Sequence, residues 1–345
     1  MADARTTIVI PNYNGAAHLA TLFPSIAAQS RPAARVLVVD NCSTDDSRSV
    51  AEAHAEWLGL ERNFGFACGV NRGLAEVDTE FVALVNSDVI LDSGWLAELE
   101  DALEDPSLSF ACPLLLTSER PDLIDGTWDL LSRAGCPERA LHRQSSGHPD
   151  ASAPRQVQFA PMTAALFRIS LFREIGNLDE AFVNYLEDVE FGLRASLAGR
   201  RGCYVPSATA LHSGSATLGV WSARTTYWNA RNQLLLVARH YPSSLLRKWW
   251  RPILAGNLLF LVLAARKGKF FAALHGKGSV LLRWRQWRRD PKSEHGEGSP
   301  GRYERLSCVV GESEREIERR QKEMPDGSTF WRAYFILAGW AKETR

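Results

Sequence analysis

The chain has 345 residues, 45% of them apolar and 23% charged, proportions that suit one large folded domain or a main domain with an appendage. Forty basic residues balance forty acidic ones, so net charge by itself names no partner. The six cysteines (Cys42, Cys68, Cys112, Cys136, Cys203, Cys308) are scattered with no C-x-x-C pair, which argues against a zinc site or a disulfide framework and for a reducing compartment.

Met1-Ala2-Asp3-Ala4-Arg5 has no signal-peptide character and leads straight into a β-branched strand, Thr7–Ile10. Pro11-Asn12-Tyr13-Asn14-Gly15 stops that strand, and a helix is predicted over Ala16–Gln29 with Pro24 inside it. Arg35–Val39 reads as a second buried strand; Asn41–Asp45 supplies turn and cap residues for a helix over Ser47–Glu56. Glu80–Val85 is a third strand, Trp95–Glu104 a helix and Phe110–Leu116 a further strand. This alternation predicts an α/β fold, with a mostly parallel sheet crossed by helices. Thr117–Pro154 lacks periodicity and reads as a long irregular excursion of the kind that shapes a substrate site. Regular structure resumes over Gln156–Arg168, in a helix-bearing stretch Leu178–Leu197, in a short strand Cys203–Val205 and in a helix over Thr225–Arg239.

Three acidic places stand out: Asp40 and Asp88, each closing an apolar strand, and Glu187-Asp188, opening an amphipathic helix. Aspartates at the C-terminal ends of parallel strands face the crevice where open α/β sheets bind ligands. Neighbours on a helix diverge by about 100°, so one of Glu187 and Asp188 can face a cleft while the other is held inside.

Six stretches in order resemble the family 2 glycosyltransferases, most closely their bacterial rhamnosyltransferase-like branch. They are Ile8–Gly15, Val38–Asp45, Asn63–Ala67 with Asn71-Arg72-Gly73, Leu84–Asp88, Tyr185–Glu190 with Arg194, and Leu211–Gly214. The match covers roughly residues 5 to 240. It implies a GT-A fold and inverting transfer from a nucleoside-diphosphate sugar with Mg²⁺ or Mn²⁺, the donor being a dTDP- or UDP-sugar such as dTDP-rhamnose. By the same resemblance Pro11, Asn12, Tyr13, Asp40, Asn63, Gly65, Asn71, Arg72, Asn86 and Ser87 contact the nucleotide sugar. Asp88 and His212 hold the metal. Asp188 is the base that deprotonates the acceptor hydroxyl, supported by Glu187. Asn86 stands where the family usually has the first aspartate of Asp-x-Asp, leaving one charged ligand instead of two. Plainer readings stay open: Asp40 as a helix cap, Arg72 as a surface residue, and Glu190–Arg194 as a helix pair. Two other readings of the whole are a degenerate, scaffolding glycosyltransferase and a sugar nucleotidyltransferase. The second should show a glycine-rich phosphate loop where Pro11-Asn12-Tyr13-Asn14 stands.

From Leu245 to Lys292 there are twelve Lys/Arg against one acid, Asp290, with Trp249, Trp250, Trp284 and Trp287 interleaved. Basic residues with tryptophan beside leucine-rich helix mark a helix lying in a membrane surface, so residues 245–289 are expected to contact one. A helical packing or dimerisation segment is the alternative. No nucleic-acid-binding motif accompanies the charge. The apolar run Ile253–Ala265 is shorter than the roughly 20 residues a spanning helix needs. The expected organisation is a catalytic domain over 1–240, a basic helical segment over 241–292, and a linker with a helical tail over 293–345. The expected location is cytoplasmic, peripheral on the inner face of the cytoplasmic membrane, where the acceptor is a polysaccharide or a lipid-linked glycan.

Overall fold

A computed structural model describes residues 4–214, 221–289, 301–324 and 327–339. The chain divides into two units, Met1–Asp129 with Arg139–Thr217, and Leu130–Glu138 with Leu218–Arg345. The strands in chain order are β1 (Thr6–Asn12), β2 (Arg35–Asp40), β3 (Glu56–Gly59), β4 (Phe81–Val85), β5 (Val89–Leu91) and β6 (Leu108–Thr117). After them come β7 (Ile124–Gly126), β8 (Asp129–Leu131), β9 (Pro137–Arg139), β10 (Arg155–Val157), β11 (Ala164–Arg168) and β12 (Arg201–His212). The first unit carries helices α1 (Ala16–Ala27), α2 (Ser47–Glu52), α3 (Phe66–Leu74), α4 (Trp95–Ala102), α5 (Ile169–Ile175) and α6 (Glu187–Leu197).

One sheet runs β10-β12-β6-β11-β4-β1-β2-β3, with β5 added to β12 and β7 to β6. Strands β4, β1, β2 and β3 are mutually parallel, as are β6 and β12. The reversal comes at β11, antiparallel to both β4 and β6. Strand β4 is buried along its whole length and β1 nearly so. Helices on both faces require such continuous Val/Ile/Phe runs rather than alternation. Ile8, Ile10, Val38, Phe81 and Ala83 pack with Leu22 of α1 and with Trp95 and Leu99 of α4 into the main core.

Three expectations need correction. The helix predicted to Glu56 ends at Glu52, because Glu56 begins β3 opposite Leu37 and pairs with Arg35 at 2.8 Å. The strand predicted as Cys203–Val205 is the twelve-residue β12; its register on β6 shifts between Val205 and Thr209, where Pro206 and Ser207 break the apolar run. The stretch Thr117–Pro154 is not irregular throughout. It contains β7, β8 and β9, and Ile124–Cys136 is buried throughout. Strands of three residues are too short to show a period.

The second unit is helical: α7 (Ala223–His240), α8 (Ser243–Lys248), α9 (Trp250–Arg266), α10 (Phe270–Leu281), α11 (Trp284–Arg289), α12 (Arg302–Glu323) and α13 (Thr329–Ala338). Glycines let its helices approach: a Cβ on Gly276 would lie 2.4 Å from the Tyr227 carbonyl of α7, and one on Gly256 2.4 Å from the Ala134 Cβ. Trp287 lies under the guanidinium groups of Arg231 and Arg239, so part of the basic, tryptophan-rich segment is internal packing. The first part of the linker and tail expected over 293–345 lies outside the described residues, which resume at Gly301. Among the described residues no helix is long and apolar enough to cross a membrane.

Candidate active site

Parallel pairing sets Asn12 opposite Asp40 at the ends of β1 and β2. Both are buried. The Asn12 amide donates to Asp40 Oδ1 at 2.8 Å, and Ser43 donates its N–H to Oδ2 at 2.8 Å and its hydroxyl to Oδ1 at 2.5 Å. Asp45, not Asp40, holds the start of α2, accepting from Ser47 N at 3.1 Å. Asn12 Oδ1 is buried and accepts no hydrogen bond. It is therefore an acceptor with its desolvation cost unmet. Gly15 gives it room, since a Cβ there would lie 2.3 Å from this oxygen. Pro11 and Tyr13, on either side, are half-buried.

The segment 63–72 is fastened to the chain just before α6. Gly65 has φ +94°, and a Cβ on it would meet Val183 Cγ1 at 2.5 Å. Asn63 accepts from Gly65 N, Phe66 N donates to the Asn184 side chain at 3.1 Å, and Ala67 N to the Val183 carbonyl. Asn71 is bound on both sides to the backbone of Leu178 and donates to Glu180 at 3.0 Å. It thus braces a loop, while Arg72 is exposed. Val183, Tyr185 and Leu186 all have left-handed φ, 63°, 70° and 64°. Each such residue costs about 1–3 kcal/mol and persists only where its surroundings impose it. Here the surroundings aim the first turn of α6.

Within that turn Glu187 is buried, its Oε2 without a hydrogen-bond partner, whereas Asp188 is partly exposed. Burial, and Asp188 beside it, push the Glu187 carboxyl well above its ordinary range. Burial also raises Asp188, opposed by the Arg139 guanidinium and by backbone N–H groups including that of Val189 at 2.8 Å. Glu190 and Arg194 form the helix pair at 2.9 Å, and Arg194 also donates to the carbonyls of Ile175, Gly176 and Asn177.

Asn86, Ser87 and Asp88 follow β4; Asn86 N donates to the Thr163 carbonyl at 2.8 Å, and a Cβ on Gly15 would stand 3.1 Å from the Ser87 hydroxyl. Far apart in sequence, Asp88 and His212 meet because β12 pairs with β5, setting His212 opposite Val89. His212 Nε2 lies 3.4 Å from Asp88 Oδ1, and its Nδ1 lies 2.8 Å from Asp125 Oδ2. Burial opposes charge on His212, but the two carboxylates outweigh it and push the imidazole up to about 9. Burial likewise opposes charge on Asp88 and Asp125, yet His212 holds both below the usual carboxylate range. Among the described residues no three His, Cys, Asp or Glu side chains gather to hold a metal ion by themselves. A hard dication bound mainly through substrate phosphate needs only one or two protein ligands. Asp88 Oδ1 and His212 Nε2 fit that demand, since Asp125 on Nδ1 is the arrangement that leaves Nε2 to a cation.

Reading the sequence missed Asp125, Asp129 and Arg139, all from the stretch read as irregular. Arg139 Nη1 is 3.1 Å from Asp125 Oδ2 and its Nε 3.6 Å from Asp129 Oδ1. Burial, and Asp188 nearby, raise Asp129 to about 7 against the pull of Arg139. Asp125 is the middle residue of the short strand β7, so the strand-end position that marks Asp40 does not mark it. Arg231 and Asn232 bond to each other at 2.7 Å inside the second unit.

Residues 7–176 match the model of the family described as Glycosyl transferase family 2. The pre-mycofactocin glycosyltransferase of Mycobacterium tuberculosis is 30% identical over 241 residues, 68% of this chain and 48% of that protein. The chain thus spans about half the length of that relative. The N-acetylglucosaminyl-diphospho-decaprenol L-rhamnosyltransferase of the same organism is 26% identical over 278 residues, 73% of this chain and 88% of that protein. The crystal structure of GalNAc-T7 with UDP, GalNAc and Mn²⁺ superposes with a TM-score of 0.62 at 13% identity, covering 92% of this chain and 58% of that one. That likeness establishes a GT-A-like architecture and no more.

Proposed function

The chain belongs to glycosyltransferase family 2, and from that premise we propose that it transfers a sugar, with inversion, from a nucleoside-diphosphate donor to a hydroxyl of a lipid-linked or polysaccharide acceptor in cell-surface glycan synthesis. The observation that carries this reading is the meeting of Asp88 and His212, 3.4 Å apart, in the unit where the partly exposed Asp188 opens α6.

Asp188 accepts the proton of the acceptor hydroxyl while that oxygen bonds to the anomeric carbon, and the diphosphate leaves with the electrons of the broken C–O bond. Glu187, buried next to Asp188, supports it from within the first turn of α6. A Mg²⁺ or Mn²⁺ ion held by Asp88 and His212 would offset the charge developing on the diphosphate. Asp40, with the unsatisfied Asn12 Oδ1 beside it, receives N–H groups of the donor's base: a carboxylate has about four lone-pair sites, and three hydrogen bonds to Asp40 are formed within the protein. Pro11, Tyr13, Asn86 and Ser87 line the same strand ends, and Asn63, Gly65, Asn71 and Arg72 form and brace the adjoining loop. The relative named as a rhamnosyltransferase supports a rhamnosyl donor first, and the family resemblance implies dTDP or UDP as its carrier. Thermal melts with UDP-, dTDP- and GDP-sugars plus Mn²⁺ should show one nucleotide class raising the midpoint. No stabilisation by any of them would defeat the reading.

The membrane expected as a partner suits the second unit's exposed apolar face. Trp250, Leu254, Leu258 and Val262 recur every fourth residue on α9 and are each at least half exposed. Arg247 and Lys248 precede the stripe and Arg266, Lys267 and Lys269 follow it, a pattern that suits an in-plane helix on an anionic surface. Such a contact would place the enzyme peripherally on the inner face of the cytoplasmic membrane. Flotation with phosphatidylglycerol vesicles should fail for Leu258→Glu; equal flotation of both proteins would rule that face out.

A further inference from the structure

We propose that Arg139 is a positioning residue acting through Asp125. Its guanidinium fixes the Asp125 carboxylate, and that carboxylate fixes the His212 imidazole so that Nε2 is turned to Asp88, where a cation would bind. The proposal rests on His212 as a ligand of that cation, and its test separates the two.

The contacts converge on one oxygen. Arg139 Nη1 donates to Asp125 Oδ2 at 3.1 Å, and His212 Nδ1 lies 2.8 Å from the same Oδ2. On the other side of the ring, Nε2 lies 3.4 Å from Asp88 Oδ1. The imidazole is rigid, so holding Nδ1 also aims Nε2. A carboxylate on the far nitrogen of a ligating histidine fixes the ring's orientation in this way.

Asp125 itself needs holding. Leu115 pairs with Gly126 and Leu116 with Ile124, so Asp125 is the extra residue of a bulge in β7. A bulged residue stands outside the ladder, and its side chain is re-aimed rather than set by the pleat. The Asp125 carbonyl meets His142 Nδ1 at 2.7 Å, and the Ile124 N–H and carbonyl bond to the backbone of Gln144 and Arg143. Those bonds fix the main chain and leave the direction of the carboxylate to its own partners, Arg139 and His212.

The arginine is placed to supply that direction. It ends β9 and crosses Gly126, the residue after the bulge, where an added Cβ would lie 2.6 Å from its Cδ and 3.2 Å from both Cγ and Nε. Only glycine leaves that path open. Its Nε lies 3.6 Å from Asp129 Oδ1 of β8, so the guanidinium is steadied from a second side. A planar fork presents donors in fixed directions and can serve two carboxylates at once, which a single ammonium cannot do with the same geometry.

The test reads the metal ligand directly. Mn²⁺ binding to the full-length protein with UDP is titrated by EPR, and pulsed EPR on protein carrying ¹⁵N-labelled histidine reads the coupling of Mn²⁺ to an imidazole nitrogen. Arg139→Gln should weaken Mn²⁺ binding about tenfold, within the range lost with a partner behind a metal ligand, and should diminish the coupling. Gly126→Ala keeps every charge but sets a methyl in the arginine's path, and should act in the same direction. Wild-type affinity and undiminished coupling in folded Arg139→Gln overturn the proposal; if that variant does not fold, the same result in Gly126→Ala does so. A role in packing alone would lower the melting temperature and leave the coupling intact. His212→Ala tests the ligand assignment separately. Coupling that survives in His212→Ala, or is absent from the wild type, defeats that assignment and the relay with it; coupling lost in His212→Ala but intact in Arg139→Gln defeats the relay alone.

Discussion

Arg133 and Arg139 lie on one short stretch of chain, yet they meet buried carboxylates in opposite ways. Arg133, in the second unit, pairs with Glu314: its Nε is 2.5 Å from Glu314 Oε2, and the Tyr334 hydroxyl donates to the same carboxylate. Both partners are buried. Arg139, in the first unit, is shared between Asp125 and Asp129 and also acts on Asp188, with Glu187 unsatisfied nearby. A buried pair of this kind fixes a packing arrangement. A shared cation leaves acids with displaced proton affinities, which is the condition for acid–base chemistry.

The largest expected effect tests the shared side of this contrast. Asp188→Asn should lower turnover about 10²–10⁴-fold, the usual cost of losing a general base, with an unchanged melting temperature. Turnover within a few-fold of wild type would place the base elsewhere. On the Arg133 side, Glu314→Gln should remove a buried counter-charge and destabilise the protein by about 3–5 kcal/mol, read by denaturant unfolding. A loss well under 1 kcal/mol would mean that the pair is solvated.

Lys277 sharpens the comparison, because among the described residues it is a buried cation whose hydrogen-bond partners are neutral. Its ammonium donates to Asn257 Oδ1 at 2.7 Å and to the Ala230 carbonyl at 3.3 Å, and burial lowers it from 10.5 to about 8. Between those two values the unfolded chain holds a proton that the folded chain has released. Stability from this residue is therefore gained as pH rises from about 8 to about 10.5, and lost as pH falls through about 8. The wild type should gain on the order of 3 kcal/mol across that window relative to Lys277→Met. Parallel stability curves for the two proteins would show that Lys277 stays charged.

The smallest effect concerns the side chain behind His212. Asp125→Asn should weaken Mn²⁺ binding about 10–100-fold, as loss of a carboxylate behind a ligating histidine does. Titration calorimetry with Mn²⁺ and UDP measures it, and equal affinities would reduce Asp125 to a packing role.

Much of the first unit is legible in the sequence because its strands are buried on both faces. Thr7–Ile10, Arg35–Val39 and Glu80–Val85 announce themselves as apolar runs, and their terminal residues place Asn12, Asp40 and Asp88 at one edge of the sheet. The start of α6 at Glu187 is likewise readable from its spacing. The stretch from Thr117 to Pro154 is not, because three-residue strands leave no periodicity. Asp125, Asp129 and Arg139 stay hidden within it. The second unit misleads in another way: Trp287 and Arg288 resemble a surface pattern, but Trp287 lies under Arg231 and Arg288 donates to the Tyr241 carbonyl at 2.8 Å. Its exposed apolar residues sit instead on α9, on α10 at Phe271 and Leu281, and on α13 at Ile336 and Leu337.

The sequence by itself determines the family, the parallel strands and the acids at their ends, since these depend on residue types adjacent along the chain. Only the tertiary structure decides which distant groups share a field. Strand β12 must pair with β5 before His212 can reach Asp88, and β9 must return beside β7 before Arg139 can reach Asp125. Electrostatic coupling falls with distance in space, and the order of residues along the chain does not encode that distance.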